Sequence, residues 1–530
     1  MKKIAIIGSG LASTSIAKSL IKRGVKPIIF DIGQKLDSER QKIVDRMSNL
    51  EPEDWDEEDR LIISENPTVS APYKFPKKLY FGSDFFYANS IKELPLSSDD
   101  YPPQYTHAKG GLSVGWGASV LPPHNTDLND WPIDSHTLHP FFKEVLDDLP
   151  YSAVDDNLNK YFPTFVNSHS ALEMSKATKK ILDDFNKSKL KDMQDVAFGR
   201  SRLLVHKYND ALNIGCKMCG HCMSGCVYGS IYKASQDIKK LQSDGLIDYR
   251  DNSIVKKVNE DDGKNKIYYL DSEKVLKTIE VDKIFIGAGA IGTSRLVLES
   301  RMWFDEVLKC KANNGFVIPL IRFRKLPFEW PRINTMPSIF FEFKVPGLSN
   351  NWIHSQISTP NELVYQKLDI DSAQNSFLKN TKRYLSRHLI TSVCNLHSNH
   401  SNGYFLTLKK SKNNNLNSLE SVREEDEKVP IKFKKTISRF SSYMKYAGYY
   451  ALTPMVQNSI KVGGGHLGGT FPMNKNPKNK FQTDILGRLS GWENIHIIDS
   501  SIFPSLPGTT IGLLAMANAR RIGNEVSLTK

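Results

Sequence analysis

The first thirty residues alternate between short apolar runs and a helical pattern. Residues 3–7 (KIAII) form an apolar run with the length of a buried strand, and a glycine-containing turn follows at once. Apolar residues then recur at helical spacing on one face, at Ile16, Ala17, Leu20 and Ile21. A second apolar run, at 27–30, is followed directly by an acidic residue. The pattern predicts a strand, a turn, an amphipathic helix and a second strand.

The turn between the first strand and the helix has the residues that a dinucleotide site needs. Gly8 permits a tight turn, Gly10 lets the backbone approach a pyrophosphate, and Ser13 is small where the helix packs on the strand. Asp31 follows the second strand, at about the 20-residue distance where a carboxylate accepts hydrogen bonds from ribose hydroxyls. We therefore predict a dinucleotide site for a ribose that has no 2′-phosphate.

A similar pattern recurs in the middle of the chain. Residues 283–286 (KIFI) precede the run GAGAIG at 287–292. No second strand that ends in an acid comes after this run, so the favoured interpretation is a tight turn in the same sheet. The alternative is a second nucleotide site, for a nicotinamide cofactor beside a flavin.

Composition and charge narrow the class of protein. The chain has 530 residues, 40% hydrophobic and 24% charged, which suits an ordinary globular protein of two lobes. Its net charge of +13 would attract nucleic acid, an anionic membrane surface or a phosphorylated substrate. The basic residues are scattered and no nucleic-acid-binding motif accompanies them, so we expect no nucleic-acid partner.

Targeting and membrane signals are weak. The sequence begins without the pattern of a signal peptide, and no apolar run approaches the roughly 18 residues of a membrane-spanning helix. We therefore expect a cytoplasmic protein without a transmembrane segment. Residues 434–452 are basic and aromatic and predict an amphipathic helix. We favour packing of its aromatic face in the core, with peripheral membrane contact as the alternative.

Most of the cysteines fall in one short loop. They are Cys216, Cys219, Cys222 and Cys226. The spacing C-x2-C-x2-C-x3-C is that of iron–sulfur ligands in ferredoxins, so we predict that these four thiols bind such a cluster. Zinc fits less well, because its structural sites usually place a second pair of ligands a dozen or more residues away. A reduced, metal-free loop is the other alternative. Only two cysteines lie elsewhere, so we expect no disulfide framework.

Several blocks of sequence carry a family resemblance. A glycine-rich run, GGLSVGWGA, stands at 110–118, and DLNDWP follows at 127–132. The C-terminal series is HLGGTFPM at 466–473, GRLSG at 487–491 and NIHIIDSSIFP at 494–504. In this order, together with residues 286–300, the blocks resemble the glucose-methanol-choline (GMC) oxidoreductases.

The resemblance implies an α/β fold in which a Rossmann-type FAD-binding lobe is interleaved with an α+β substrate lobe built on an antiparallel sheet. We assign the FAD-binding lobe to 1–35, 105–135, 200–300 and 455–530. The substrate lobe and its insertions are assigned to 36–104, 136–199 and 301–454. The implied cofactor is FAD, which we expect to be bound noncovalently. Beside the N-terminal turn, the residues implied to surround it are Gly110, Gly111, Ser113, Trp116, Gly117 and Asp499.

The resemblance also implies a catalytic base. Hydride leaves an alcohol carbon readily only when the hydroxyl proton is removed, and His466 matches the active-site histidine of the family. The family often has a second His or Asn where this chain has Gly508. We predict that Thr509 or Thr510 supplies the missing hydrogen bond. The alternatives are Asn518 or another residue from elsewhere in the chain, or a chemistry that departs from simple alcohol oxidation.

The cysteine loop resembles that of the iron–sulfur-containing catalytic subunits of flavin glucose dehydrogenases, which carry a three-iron cluster. Cys216, Cys222 and Cys226 have the spacing of those ligands, and Cys219 is then an extra thiol or the fourth ligand of a four-iron cluster. Our leading prediction is a dehydrogenase that oxidises an alcohol, preferably a sugar or polyol hydroxyl, and passes electrons through the cluster to an acceptor protein. The alternatives are an oxygen-dependent oxidase or a flavin lyase without a cluster, and a non-catalytic flavin-bound redox or scaffold protein.

Overall fold

A computed structural model describes residues 2–64, 78–87, 91–99, 102–167, 170–210, 213–261, 264–327, 333–362, 364, 376–411, 416–458 and 465–528. Over these residues the chain combines one parallel sheet with several antiparallel sheets, which confirms the predicted α/β class. The helices are α1 (Leu11–Lys22), α2 (Ser38–Ser48), α3 (Glu57–Ser64), α4 (His139–Asp147), α5 (Lys176–Lys187), α6 (Ala234–Ser243), α7 (Gly289–Arg301), α8 (Ser376–Ser386), α9 (Lys428–Tyr446) and α10 (Gly512–Glu525).

A five-stranded parallel sheet forms the centre of the first lobe. Its strands are β1 (Ile4–Ile7), β2 (Ile28–Phe30), β7 (Asp248–Arg250), β11 (Lys283–Ile286) and β22 (Ile495–Ile497). Their order across the sheet is β22-β11-β1-β2-β7. The three apolar runs predicted as strands are β1, β2 and β11, and the second glycine turn does follow a strand of the same sheet, as predicted. The residues of β1, β2, β11 and β22 are all buried, so these strands are largely apolar on both faces.

Helices α1 and α10 pack closely on each other beside this sheet. The Ser15 hydroxyl of α1 donates to the Met516 carbonyl of α10 at 2.7 Å, and Arg23 donates to the Gly523 carbonyl at 2.6 Å. A Cβ atom at Gly523 would lie 2.8 Å from the Ser19 hydroxyl, so only glycine allows this approach. The C-terminal helix is therefore held against the helix that follows the N-terminal glycine turn.

Smaller antiparallel sheets connect the two lobes. A meander of β8 (Ile254–Asp261), β9 (Lys264–Leu270) and β10 (Leu276–Val281) leads from β7 to β11. A five-stranded sheet contains β3 (Leu96–Ser98), β12 (Val307–Ala312), β17 (Tyr404–Lys409), β18 (Ser418–Arg423) and β21 (Leu467–Gly468). Its order is β21-β12-β17-β18-β3, and only the β18–β3 pair is parallel. A short pair joins β4 (Tyr151–Ser152) to β6 (Leu203–Leu204).

A seven-stranded antiparallel sheet forms the second lobe. Its strands are β5 (Val196–Arg200), β13 (Gly315–Ile321), β14 (Ile339–Val345), β15 (Ser349–Ser358), β16 (Leu389–Asn395), β19 (Tyr450–Ala451) and β20 (Gln457–Asn458). The order is β19-β13-β16-β15-β14-β5, and β20 pairs with β13. This is the antiparallel substrate-lobe sheet that the family resemblance implied. The exact lobe boundaries stay a prediction, and β20 lies in a segment that we assigned to the other lobe.

Helix α9 contains most of the basic and aromatic segment predicted to be amphipathic. Its residues Phe433, Phe440, Tyr443 and Met444 are buried against the second-lobe sheet. The rings of Phe440 and Phe343 lie 5.5 Å apart. This confirms core packing of the aromatic face, and membrane contact remains untested. Over the described ranges, no helix is both long and apolar enough to span a bilayer.

Candidate active site

The N-terminal glycine turn and the second glycine turn meet at one edge of the parallel sheet. Gly8 has φ +98°, and a Cβ atom there would lie 2.5 Å from the Gly287 carbonyl oxygen. The Ser13 hydroxyl donates to that same carbonyl at 3.2 Å. Helix α1 begins directly after Gly10, so its free N–H groups point to the space above the turn. An anion fits there, because the helix amino terminus and the close backbone both favour negative charge.

Asp31 lies at the carboxyl end of β2, where the sequence predicted the ribose-binding acid. Its carboxylate accepts hydrogen bonds from the hydroxyls of Ser9 and of Tyr249, the latter at 2.9 Å. Burial raises the pKa of Asp31 to about 6, although both hydrogen bonds and nearby Lys109 lower it. The carboxylate is oriented and ready to accept from a hydroxyl of a bound nucleotide.

The glycine-rich loop that contains Gly110 lies over the first turn. The Gly110 backbone N–H donates to the Ser9 hydroxyl at 2.8 Å, and a Cβ atom at Gly111 would lie 3.2 Å from the Gly10 Cα. The Ser113 hydroxyl donates to the Gly110 carbonyl at 2.6 Å and so holds the loop in its conformation. Ser9 thus connects the turn, the loop and Asp31, a role that the sequence did not reveal.

The remaining predicted cofactor residues lie on the same wall. The Trp116 indole N–H donates to the Tyr232 carbonyl at 2.8 Å, which fixes the ring beside Gly117. Asp499 accepts from the Gly289 N–H at 2.8 Å and from the Thr293 hydroxyl at 2.6 Å, at the start of α7. Burial raises the pKa of Asp499. Its carboxylate therefore caps the helix that follows the second glycine turn.

These elements enclose one long cavity of about 520 Å³. Its lining includes both glycine turns, the Gly111–Gly117 loop, Asp31, Asp499 and His466. The hydroxyl oxygens of Ser119 and Thr510 also face it, and both are buried without a hydrogen-bond partner in the described part of the chain. Buried hydroxyls of this kind normally have a partner, so a polar ligand would complete them. The glycine cradle, the ribose-binding acid and these hydroxyls fit a dinucleotide.

His466 lies at the cavity beside β21. Its backbone carbonyl accepts from the Asn313 N–H at 3.1 Å, and its imidazole lines the cavity. Burial lowers the pKa of His466 to about 4, and the nearby imidazole of His354 lowers it further. The ring is therefore neutral at physiological pH and able to accept a proton.

The structure gives the reason why no side chain stands at Gly508. A Cβ atom there would lie 2.8 Å from the Trp352 carbonyl oxygen and 2.9 Å from the Asn395 carbonyl oxygen. The second-lobe sheet thus occupies the space that a His or Asn would need. Of the two threonines predicted to substitute, Thr510 lines the cavity and Thr509 is fully buried. Asn518 is also fully buried, and its side-chain oxygen accepts from Arg521.

Among the cavity residues that the sequence analysis missed are two side-chain amides. Gln356 of β15 and Asn395 of β16 both line the cavity with His466. Both are amides on strands of the second lobe, far from His466 in sequence, and neither belongs to a recognisable motif. Only the pairing of β15 with β16 shows that they lie on one wall.

The cysteine loop lies next to the cavity wall rather than in it. All four thiols are free, and burial raises the pKa of Cys216 to about 11 and of Cys219 to about 12. The Cys222 thiol donates to the Asn334 side-chain oxygen at 3.5 Å. In the ranges that the structure covers, no three His, Cys, Asp or Glu side chains form a group that could hold a metal. The predicted iron–sulfur ligation is therefore not supported by the positions of these side chains.

Comparison with known proteins agrees with this geometry. Residues 404–519 match the family model described as GMC oxidoreductase. No curated protein sequence matches the chain. Among solved structures, the pyridoxine 4-oxidase from Mesorbium loti is similar over 99% of both chains, with a TM-score of 0.61 and 12% sequence identity. Residues 404–519 of this chain are thus similar to a GMC oxidoreductase domain, and the whole chain has an α/β fold similar to that of the pyridoxine 4-oxidase.

Proposed function

We propose that this protein is an FAD-dependent oxidoreductase that converts an alcohol group to a carbonyl. The observation that carries the proposal is the cavity itself. Its lining brings together Gly8, Gly10 and Asp31, which fit a dinucleotide, and the half-buried His466, whose pKa is lowered to about 4. The C-terminal GMC oxidoreductase match supports the same chemistry.

The residues around the cavity have distinct tasks in this reaction. FAD, when bound, accepts the hydride that leaves the alcohol carbon. The amino end of α1 holds the pyrophosphate, and Asp31 accepts from ribose hydroxyls. His466 accepts the hydroxyl proton, which its low pKa permits because the ring begins the reaction unprotonated. The second-lobe sheet contributes Gln356 and Asn395 to the cavity that His466 lines.

The substrate that we propose is a small polyhydroxylated alcohol, such as a sugar or polyol. Gln356 and Asn395 support this class, because two amides on one wall supply several donors and acceptors to neighbouring hydroxyls. The similar solved structure is an enzyme named for pyridoxine, and at 12% identity it supports the fold alone. The proposed reaction includes no electron transfer through the cysteine loop, because the thiols of that loop do not form a group of metal ligands in the described part of the chain.

Anaerobic mixing tests the proposal. The purified protein, loaded with FAD, is mixed without oxygen with a panel of sugars, polyols and simple alcohols, and the flavin absorbance is followed. We expect bleaching by at least one polyhydroxylated alcohol and much slower bleaching in His466→Ala. Admission of oxygen to the bleached enzyme then separates an oxidase, which regains its colour at once, from a dehydrogenase. A protein that binds no FAD, or whose flavin no alcohol bleaches, would refute the proposal.

A further inference from the structure

A buried carboxylate–imidazole pair lies on the second-lobe sheet and has no task in the mechanism above. Glu342 of β14 and His354 of β15 are register partners, and Glu342 Oε1 lies 2.6 Å from His354 Nδ1. Both side chains have zero solvent exposure. Removing such a pair from water is costly, and apolar residues of the same size often serve stability as well. We therefore look for a role of this pair other than stabilising the fold.

His354 is linked to a side chain that reaches the cavity. Gln356 follows it by two positions on β15, so both side chains lie on the same face of the sheet. Gln356 Nε2 lies 3.0 Å from His354 Nε2. These two contacts assign a neutral His354 whose Nδ1–H donates to Glu342, because its Nε2 then accepts one N–H of Gln356. The second N–H and the carbonyl oxygen of Gln356 remain for a ligand in the cavity.

The same part of the sheet is fixed next to His466. The Asn313 backbone N–H donates to the His466 carbonyl at 3.1 Å. The Asn313 side-chain amide donates to the carbonyls of Leu396 at 2.6 Å and Leu506 at 3.2 Å. Buried Asn313 thus connects the base, the end of β16 and the segment that leads to Gly508.

Because residue 508 is a glycine, it has no side chain that could stabilise the charge on the substrate oxygen. When His466 takes the proton, negative charge develops on the substrate oxygen, and a second donor next to it stabilises that charge. The carbonyls of Trp352 and Asn395 exclude any side chain at 508. Donors at the cavity that could take this task are the side-chain amides of the sheet that fills this space and the Thr510 hydroxyl.

We propose that Gln356 is this donor and hence a catalytic residue, and that His354 and Glu342 are positioning residues that orient its amide. The inference rests on the proposed alcohol oxidation. In the step, the hydroxyl proton passes to His466 and the C=O bond forms as the C–H hydrogen leaves with its electron pair, a hydride that FAD would accept when bound. The free N–H of Gln356 donates to the oxygen throughout. The fixed amide orientation matters, because a rotated Gln356 would turn its carbonyl oxygen to the developing charge.

Rapid-mixing reduction of the flavin tests the proposal, with a substrate that bleaches the wild type. We expect Gln356→Ala to retain FAD and to lower the limiting reduction rate by about 10²–10³, the usual effect of losing one such donor. Gln356→Glu keeps the size but turns a carboxylate to the oxygen, so its rate should be low at neutral pH and rise as the pH falls. Asn395→Ala is the matched comparison on the same wall, and we expect it to raise KM more than it lowers the limiting rate.

A second readout does not depend on turnover. The His354 Nδ1–H donated to a buried carboxylate should give a far-downfield proton NMR signal in FAD-loaded and FAD-free protein. We expect this signal to disappear in His354→Asn and to move in Glu342→Gln. Glu342→Gln should also lower the limiting rate of flavin reduction by about tenfold.

The possible failures are distinguishable. If Gln356→Ala reduces its flavin at the wild-type rate, or Asn395→Ala shows the large loss instead, the assignment to Gln356 is wrong and the proposed function stands. If the NMR signal is absent from the wild type, the positioning role of His354 is wrong. If no alcohol bleaches the wild-type flavin, the proposed function fails and this assignment fails with it.

Discussion

Asp31→Asn should stabilise the FAD-free protein while it weakens FAD binding. The wild-type carboxylate is buried, and its pKa is raised from the ordinary 3.8 to about 6. When the pKa of an acid is higher in the folded state, the native state binds more protons than the unfolded chain at any pH between the unfolded and the folded pKa. Stability is therefore full below about pH 4, falls as the pH rises to about 6, and stays lower above it.

The size of this penalty follows from the two pKa values. The difference between 3.8 and about 6 corresponds to about 3 kcal/mol of unfolding free energy, at 1.36 kcal/mol per unit. Asparagine carries no charge and so avoids the penalty, and its side-chain oxygen can replace the Asp31 Oδ2 that accepts from both Ser9 and Tyr249, although a neutral acceptor binds these hydroxyls more weakly. We therefore expect a net gain of about 1–3 kcal/mol above pH 7. FAD affinity should fall about 10–100-fold, because a charge-assisted bond to ribose is lost.

Urea unfolding of the FAD-free proteins from pH 4 to pH 8 measures the first effect, and fluorescence titration with FAD measures the second. The quantity of interest is the difference between wild type and Asp31→Asn, because other groups titrate equally in both. Asp251→Asn, which removes a more exposed carboxylate paired with Lys35 at 2.7 Å, is the control and should show no such pH-dependent difference. If the wild type and Asp31→Asn lose stability in parallel over this range, the reasoning from burial is wrong.

Three further predictions concern the base, the glycine beside it and the cysteine loop. His466→Ala should keep FAD and lower flavin reduction by about 10²–10⁴. The wild-type rate of flavin reduction should be constant from pH 9 to pH 6 and fall only as the pH approaches about 4, where His466 becomes protonated. A midpoint near pH 6.5 in stopped-flow measurements of this rate would contradict the prediction. Gly508→Ala should lower the unfolding free energy by about 1–3 kcal/mol through overpacking, whereas Gly465→Ala, whose Cβ would make only an ordinary contact at 3.5 Å, should be nearly neutral in the same urea titration. Iron and acid-labile sulfide in anaerobically purified protein would establish the predicted cluster, and stoichiometric zinc or no metal would exclude it.

Local sequence signals predicted the backbone geometry around the proposed FAD site. Strands β1 and β2, the Gly8–Gly10 turn and Asp31 are consecutive in the chain, so their geometry follows from a few backbone rules. The loop at Gly110 and the acid at Asp499 are distant in sequence, and only the resemblance to a family connected them to the same cavity.

The substrate half could not be predicted in this way. Glu342 and His354 look like polar residues on the outer faces of strands, because alternation along a strand does not show which face another lobe covers. Their burial depends on the register of β14 with β15 and on the packing of that sheet over the first lobe. The absent side chain at Gly508 was visible in the sequence, but its replacement lies on strands that pair only in the folded protein.

The charge around the cysteine loop bears on what the loop can hold. Two lysines lie beside it, with the Lys233 ammonium 4.6 Å from the centre of the Tyr80 ring and the Lys78 ammonium 5.5 Å from it. Burial lowers the pKa of both, to about 8 for Lys233, while the nearby Cys226 raises it. With protonated thiols, Lys233 has the rings of Tyr80 and Phe81 to offset the cost of burial, and Lys78 has the Tyr80 ring, the Trp116 carbonyl at 3.5 Å and the nearby Glu362. Thiolates bound to iron would instead carry negative charge and stabilise both lysines in their charged form. The iron analysis therefore also tests whether the lysine charges stabilise a cluster. If the protein contains iron, Lys233→Met should lower the iron content. If the protein is metal-free, the same change should leave the loop unaltered or more stable.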